Sequence, residues 1–515
     1  MVTRTPDIFR HAELVFALVA PVGIDYEQVS ENLKSQLSEF GYTASSIKLS
    51  SKIAPLCRLF GIDAPLEVTD EARRVESHMK AANLLYQKFN KSVDKSERNA
   101  LLALSGASDV AAERRRQSSS KEESSALLNR AHILSTLKRP EEIEYLRRIY
   151  GIGLHVIGIF GTEDERIRYL TRQRHLSAPD AKRLVNIDEN DREEGGQRTG
   201  DAYHLADVFI NGGGGSDRWK QDLGRYLDLI FSHPYKTPTR DEQSMFMAYA
   251  ASLRSAQFGR QVGAAISSNE GELLAIGCNE VPKRGGGQYW YGDDPDERDH
   301  QKGFDSNDEE KNRILQQILE CLPESMRSDE LKDKLRETSL FAITEYGRAT
   351  HAEMEALLSC ARRGISTERT ILYTTTFPCH NCTRHIIDAG VKKVVYIEPY
   401  PKSKAMLLHD DAVGLNEEGR ETMEPSKVPF VSFVGISPRK YVEIFTVKPM
   451  YGRNVDRKLK SSGNAISWQR SKSLPRLVML PISYIEREAL AVSTLDESVK
   501  RQGLATDTTS RRRKE

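Results

Sequence analysis

His351-Ala352-Glu353, followed after a short apolar segment by Thr370-Ile371-Leu372-Tyr373-Thr374-Thr375-Thr376-Phe377-Pro378-Cys379-His380-Asn381-Cys382, decides how the rest of the chain is read. Zinc takes nitrogen and thiolate ligands in a tetrahedron, and a catalytic zinc keeps one position for water. One imidazole (His351) and two thiolates (Cys379, Cys382) supply three ligands and leave that position free. The run after Glu353 is rich in helix formers and stops at Gly364, so His351 and Glu353 fall near a helix N-terminus. The β-branched run 370–376 reads as a buried strand that Pro378 ends, and a second helix is expected from Cys379 to about residue 389. Cysteines in the first turn of a helix sit beside unpaired N–H groups and the positive end of the dipole, which favours the metal-binding thiolate.

Glu353 is not needed as a ligand. A carboxylate there can take a proton from metal-bound water, whose pKa falls from about 15.7 towards about 7. The arrangement H-x-E followed by P-C-x-x-C resembles the signature of zinc nucleobase deaminases, and the reaction it implies is hydrolytic deamination. A lone C-x-x-C also suits a redox pair or half of a structural zinc site. The six cysteines stand at 57, 278, 321, 360, 379 and 382, however, with no second C-x-x-C to complete a four-thiolate site. His380 and His385 read as surface or supporting residues.

At 515 residues, two or three domains are expected. Lys+Arg 75 against Asp+Glu 74 gives a net charge of +1, so no global basic field draws in nucleic acid. No apolar run has membrane-spanning length, the first residues are polar, and the unpaired cysteines suit a reducing compartment; the expectation is a soluble cytoplasmic protein.

Before the zinc stretch, ELVFALVA at 13–20 is a continuous apolar run of the kind buried in a parallel sheet. A turn with Gly23 and Asp25 follows, then a helix over 26–40 with Val29, Leu33, Leu37 and Phe40 on one face, then a strand at 43–49. Further strands are expected at 154–160 and 206–210, with an arginine-rich helix at 162–174. The polar run from Arg114 to 125 reads as an exposed excursion. This N-terminal part resembles the P-loop nucleotide-kinase superfamily. The turn lacks the G-x-x-x-x-G-K-[ST] lysine and hydroxyl, so fold and not kinase activity is implied, with Gly23 and Asp25 the nearest matches to a nucleotide site.

Residues 240–415 resemble deoxycytidylate deaminases. That resemblance carries zinc ligation to His351, Cys379 and Cys382, proton transfer to Glu353, and a sugar and base contact to Asn279 of Gly277-Cys278-Asn279. The glycine-rich, charged and aromatic tract 283–302 is read as a lid, and it opens a long insertion between Pro282 and His351 that departs from the family pattern. Arg260, Lys283, Arg284 and Lys402 flank the site as candidate anchors for a polyanionic substrate. The expected domains are therefore 1–235, P-loop-kinase-like with a degenerate phosphate loop; 236–450, a cytidine-deaminase-like α/β/α three-layer domain; and 451–515, a basic, partly disordered extension.

This combination resembles the anti-phage dCTP deaminases of bacteria. The resemblance implies a zinc enzyme that depletes dCTP and dCMP on infection, a regulatory N-terminal domain, and a homo-oligomer. A regulatory nucleotide or inhibitory RNA would bind the N-terminal domain or the basic C-terminal region. The alternatives are a housekeeping dCMP deaminase and a nucleic-acid base editor. The balanced charge opposes the latter, as does Phe377 where tRNA-adenosine deaminases generally carry glutamate.

Overall fold

The computed structural model describes residues 12–511 apart from 68, 118–125, 191–196, 214–216, 401–402, 416–426, 450–451 and 478–480. The chain divides into two compact units: residues 1–237 with 434–515, and residues 238–433. In chain order the first unit holds β1 (Leu14–Val19), α1 (Tyr26–Glu39), β2 (Thr43–Lys48), α2 (Ile53–Leu59), α3 (Glu71–Asn90), α4 (Leu101–Gln117) and β3 (Arg130–Leu137). It continues through α5 (Pro140–Tyr150), β4 (Leu154–Phe160), α6 (Glu163–Arg172), α7 (Ala178–Asn190), α8 (Thr199–Tyr203), β5 (Val208–Asn211) and α9 (Arg218–Ile230). The second unit holds α10 (Arg240–Ser252), β6 (Gly263–Ser267), β7 (Leu273–Cys278), α11 (Asp299–Lys302), α12 (Ser306–Glu320), α13 (Asp329–Arg336) and α14 (Ala352–Arg362). It ends with β8 (Ile371–Thr376), α15 (His380–Asp388), β9 (Lys393–Glu398), α16 (Ala405–Leu408), β10 (Val413–Leu415) and β11 (Val428–Ser432). The chain then returns to the first unit with β12 (Gly435–Ile436), α17 (Tyr441–Phe445) and α18 (Pro481–Arg511). Among the described residues, no helix is long and apolar enough to cross a membrane.

In the first unit the sheet order is β12-β5-β4-β1-β3-β2, parallel except for the antiparallel edge strand β12. All six residues of β1 are buried, as a strand covered on both faces requires. Val29, Leu33, Leu37 and Phe40 form the buried face of α1 against Phe16, Leu18 and Phe231. Gly23 adopts φ +93°, and a Cβ there would lie 2.7 Å from Cβ of Arg166 and 2.9 Å from its Cα. Asp25 caps α1, its carboxylate accepting from the Gln28 N–H at 3.0 Å. The two residues matched to a nucleotide site are thus spent on helix packing and on a cap whose own carboxylate repels an anion.

Three expectations for this unit are corrected. Arg114 is not on an exposed excursion: its guanidinium is buried between Glu13, 3.0 Å away, and Glu488 of α18. Residues 441–447, whose aromatic and β-branched composition reads as β-rich, form a helix over Tyr441–Phe445. The basic stretch after 451 is tied down rather than loose, with Arg470 paired to Asp228 and Glu39 and Trp468 Nε1 donating to the Phe231 carbonyl. The second unit closes at 433 rather than 450 because β12 turns into the first unit's sheet. Glu488→Ala removes one of the two carboxylates around the buried Arg114 guanidinium and leaves it Glu13 alone, so the variant is expected to lose about 1–3 kcal/mol in chemical denaturation.

The second unit's sheet runs β10-β11-β9-β8-β6-β7, with β6 antiparallel to both neighbours and β8, β9, β11 and β10 mutually parallel. Alternation along β6 sorts its faces. Ala264 and Ile266 join Ala352, Ala356 and Ile386 of α14 and α15 in one core. On the other face Ser267 meets Ser244 of α10 at 2.9 Å, and a Cβ on Gly263 would strike the Ala248 carbonyl. Helices on both faces make the three layers of an α/β/α domain. Gly277 does the same for α14: an added Cβ would sit 2.3 Å from the Ala352 carbonyl oxygen and 2.6 Å from the Ala356 nitrogen. Since the obstacle is helix backbone, Gly277→Ala is expected to displace the turn bearing His351 and Glu353 and to cost roughly 1–3 kcal/mol. Thermal melting reads the cost and zinc affinity reads the displacement.

Candidate active site

The zinc stretch folds as strand β8 between two helix starts. His351 is the extended N-cap residue of α14, and Cys379 the extended N-cap residue of α15. Both helices pack on one face of the sheet, so these two N-termini meet. His351 Nδ1 lies 3.3 Å from Cys379 Sγ and 3.4 Å from Cys382 Sγ. The three donor atoms all fall within 4.8 Å of one another, the one such group of His, Cys, Asp or Glu among the described residues. Zinc with ligand distances of about 2.0 Å to nitrogen and 2.3 Å to sulfur sets tetrahedral N and S atoms about 3.5 Å apart. The donor set and its spacing fit that ion. His380 faces Glu345 at 3.8 Å and stays outside the group.

The electrostatics show how tightly the donors are coupled. A hydrogen bond from Cys382, with His351 beside it, holds the Cys379 thiol down at about 4. The hydrogen bond with Cys379 in turn lifts His351 to about 9. Cys382 is pushed up by its bond to Cys379, by burial and by Glu353. The thiolate form is thereby favoured at Cys379, one of the three donors. Glu353, in the first turn of α14, is 4% exposed, and its Oε2 lies 3.5 Å from Cys382 Sγ. Burial raises its carboxyl above the usual range.

His351, Glu353 and Cys379 line a cavity of about 360 Å³ together with Asn279, Arg260, Phe377 and Tyr400. Asn279 is in the wall, but both ends of its amide hold the 260–262 loop: Oδ1 accepts from the Val262 N–H at 2.7 Å and Nδ2 donates to the Arg260 carbonyl at 2.8 Å. The Arg260 side chain is exposed and lies 3.4 Å from Glu398. Lys283 and Arg284 are not among the described lining residues. The Lys283 ammonium is taken by Asp293 within the glycine turn, and Arg284 projects into solvent. Lys402 lies outside the described residues.

Several lining residues went unforeseen. Asp299, Asp305, Asn307, Thr344 and Gly347 come from the long insertion, so that segment is a wall of the cavity and not only a cover. Asn307 donates to the Ile343 carbonyl at 2.9 Å, and Arg348 to Asp299 at 2.8 Å, which ties the wall together. Gln257 is set in place by Glu280, whose buried carboxylate accepts from its Nε2 at 3.1 Å and from the Ala256 N–H at 2.9 Å. The glycine-rich, aromatic composition of 283–302 was the one signal of this wall in the sequence.

Residues 238–398 match the family model of the cytidine and deoxycytidylate deaminase zinc-binding region. ComE operon protein 2 of Bacillus subtilis (strain 168) is 45% identical over 53 residues, which is 10% of this chain and 28% of that protein. The deoxycytidylate deaminase of Enterobacteria phage T4 is 46% identical over 54 residues, 10% of this chain and 28% of that protein. A probable deoxycytidylate deaminase of Drosophila melanogaster is 29% identical over 182 residues, covering 34% of this chain and 69% of that protein. The chain thus spans under a third of the length of the first two of these relatives. Among solved structures, the dCMP deaminase of cyanophage S-TIM5 in complex with dCMP and dUMP matches at 20% identity and a TM-score of 0.22, covering 38% of this chain and 99% of that chain. The chain carries a cytidine/deoxycytidylate-deaminase-like domain joined to another domain.

Proposed function

We propose that the second unit is a zinc-dependent hydrolytic deaminase of free deoxycytidine nucleotides, converting cytosine to uracil with release of ammonia. The observation that carries this reading is the buried carboxylate of Glu353 beside the His351, Cys379 and Cys382 donors at the wall of one cavity. Bound zinc supplies a water made acidic enough to act as hydroxide at neutral pH. Glu353 would take one proton of that water and give it to ring N3 as the water oxygen bonds to C4, then carry the remaining hydroxyl proton to the exocyclic nitrogen as the C4–N4 bond breaks and ammonia leaves. Phe377 and Tyr400 flank the base, Asn279 fixes the loop that carries Arg260, and Arg260 is the described cation best placed for a phosphate.

A cavity of about 360 Å³ walled by the insertion suits a mononucleotide better than a strand. The relatives named deoxycytidylate deaminases favour dCMP as substrate, the housekeeping reading. The dCTP-depleting phage-defence role is the second reading. It is supported by the joined first unit, whose central apolar β1 and glycine turn are also what favours a P-loop-kinase-like regulatory domain. Full-length protein is assayed on dCMP, dCTP and a cytosine-containing single-stranded oligonucleotide. Turnover of either nucleotide with none of the oligonucleotide supports the proposal. Turnover of the oligonucleotide alone overturns it.

A further inference from the structure

In the second unit, a buried carboxylate fixes which way an amide in the cavity wall faces. Glu280, next to Asn279, is fully buried. Its Oε2 accepts from the Ala256 N–H at 2.9 Å and its Oε1 from the Val281 N–H at 2.9 Å, with Arg298 Nη1 3.9 Å away. Gln257 meets this carboxylate through Nε2, which donates to Oε1 at 3.1 Å. Oxygens that already accept from N–H groups face the NH2 end of an amide, so Gln257 turns its own Oε1 the other way. The Glu280 backbone is anchored as well. Its N–H donates to the Thr350 carbonyl at 3.3 Å and its carbonyl accepts from the Thr350 N–H at 3.0 Å, one residue before His351. The Gln257 amide is therefore set before any ligand arrives.

Gln257 is half-buried and lines the cavity, and no described residue donates to its Oε1. The neighbouring amides have both ends engaged: Asn279 with the Val262 N–H and the Arg260 carbonyl, Gln288 with Cys278 Sγ at 3.3 Å and the Cys278 carbonyl at 2.7 Å. Asn307 Oδ1 also lacks a donor among the described residues, but it is closed off from solvent and so out of a ligand's reach. Gln257 stands three residues before Arg260 in the loop between α10 and β6, and both line the same cavity. A nucleotide with its base at Glu353 and its phosphate at Arg260 carries its sugar along this loop. Such a nucleotide offers two donor groups, the exocyclic amine and the 3′-hydroxyl. The amine leaves at Glu353, so the hydroxyl is the donor that remains for an acceptor here. An uncharged oxygen suits the place, because a carboxylate would take the Arg260 guanidinium and repel the phosphate.

We propose that Gln257 Oε1, set by Glu280, accepts the sugar 3′-hydroxyl and selects nucleotides that carry it. The proposal rests on the deaminase reading above. Glu280 acts through Gln257 and is a positioning residue, and neither belongs to the H-x-E or P-C-x-x-C pattern.

The test gives the zinc-loaded full-length chain dCMP and dCTP, each beside its 2′,3′-dideoxy counterpart, as wild type, Gln257→Leu and Gln257→Ala. Wild type should favour the 3′-hydroxyl by about tenfold or more in kcat/KM, since the dideoxy nucleotide leaves an acceptor unpaired. Gln257→Leu keeps the bulk and removes the oxygen. The preference should then shrink to about twofold or less, because the loss falls on the nucleotide that carries the hydroxyl. Gln257→Ala gives the same reading if the leucine variant does not fold. Equal wild-type rates on the two sugars overturn the proposal with no variant needed. A folded variant that slows both nucleotides by one factor, and so keeps the wild-type preference, also overturns it and leaves Gln257 a support of the loop only. Wild type that deaminates neither dCMP nor dCTP overturns the deaminase reading itself, and this proposal with it.

Discussion

Glu353→Ala is expected to lower turnover by roughly a hundred- to ten-thousand-fold, the usual contribution of a positioned proton-transfer group. Zinc content and melting temperature should stay close to wild type. The carboxylate lies beside Cys382 Sγ but outside the donor group, and the alanine that replaces it suits the first turn of α14. Glu353→Gln separates charge from shape: it fills the same volume and cannot carry a proton, so it should be as inactive as alanine. An active Glu353→Gln variant, or loss of zinc in either, would move Glu353 from proton transfer to ligation.

Cys382→Ala is expected to abolish both zinc binding and turnover. Cys382 is 1% exposed and lies 3.4 Å from His351 Nδ1, so its loss removes one of the three donors from the group. Loss should exceed the roughly 10–100-fold fall in metal affinity that follows removal of a residue merely supporting a ligand. Binding of metal is also folding free energy, so chelation of the wild type should lower its melting temperature and leave that of Cys382→Ala unmoved. Metal analysis after dialysis, alongside melting with and without chelator, reads both effects. Stoichiometric zinc in Cys382→Ala would mean a different ligand set.

The zinc stretch was legible because each residue type there answers to a chemical demand at fixed spacing, and because β8 is rich in β-branched residues with no turn former inside it. β1 and α1 were legible for a similar reason, each carrying a clean apolar pattern, and β4 because only His155 and Gly158 interrupt its apolar residues. β3 was not. His132 and Ser135 break its apolar run, and only the fold shows that His132 is buried against Glu13 at 2.8 Å. Arg114 misled in the same way. A run of three arginines reads as solvated, and the acids that bury the first of them stand at positions 13 and 488, too far off in sequence to be paired by inspection.

The residues 430–436 read as one β-rich segment but divide between two sheets, β11 in one unit and β12 in the other. Nothing in local propensity marks the break at 433. The cationic contacts fared differently again. Lys283 and Arg284 precede the site in sequence, yet the glycine turn that follows them points Lys283 to Asp293. The wall of the cavity comes instead from Asp299, Asp305 and Asn307, which carry no motif.

The central claim is tested most directly by incubating the zinc-loaded full-length chain with dCMP and with dCTP, and following nucleotide mass and ammonia together. Conversion of either to its deoxyuridine counterpart, with one ammonia released per product and none formed by Glu353→Ala, is the predicted result. Zinc-loaded protein that leaves both nucleotides unchanged while converting cytosine in an oligonucleotide would contradict it.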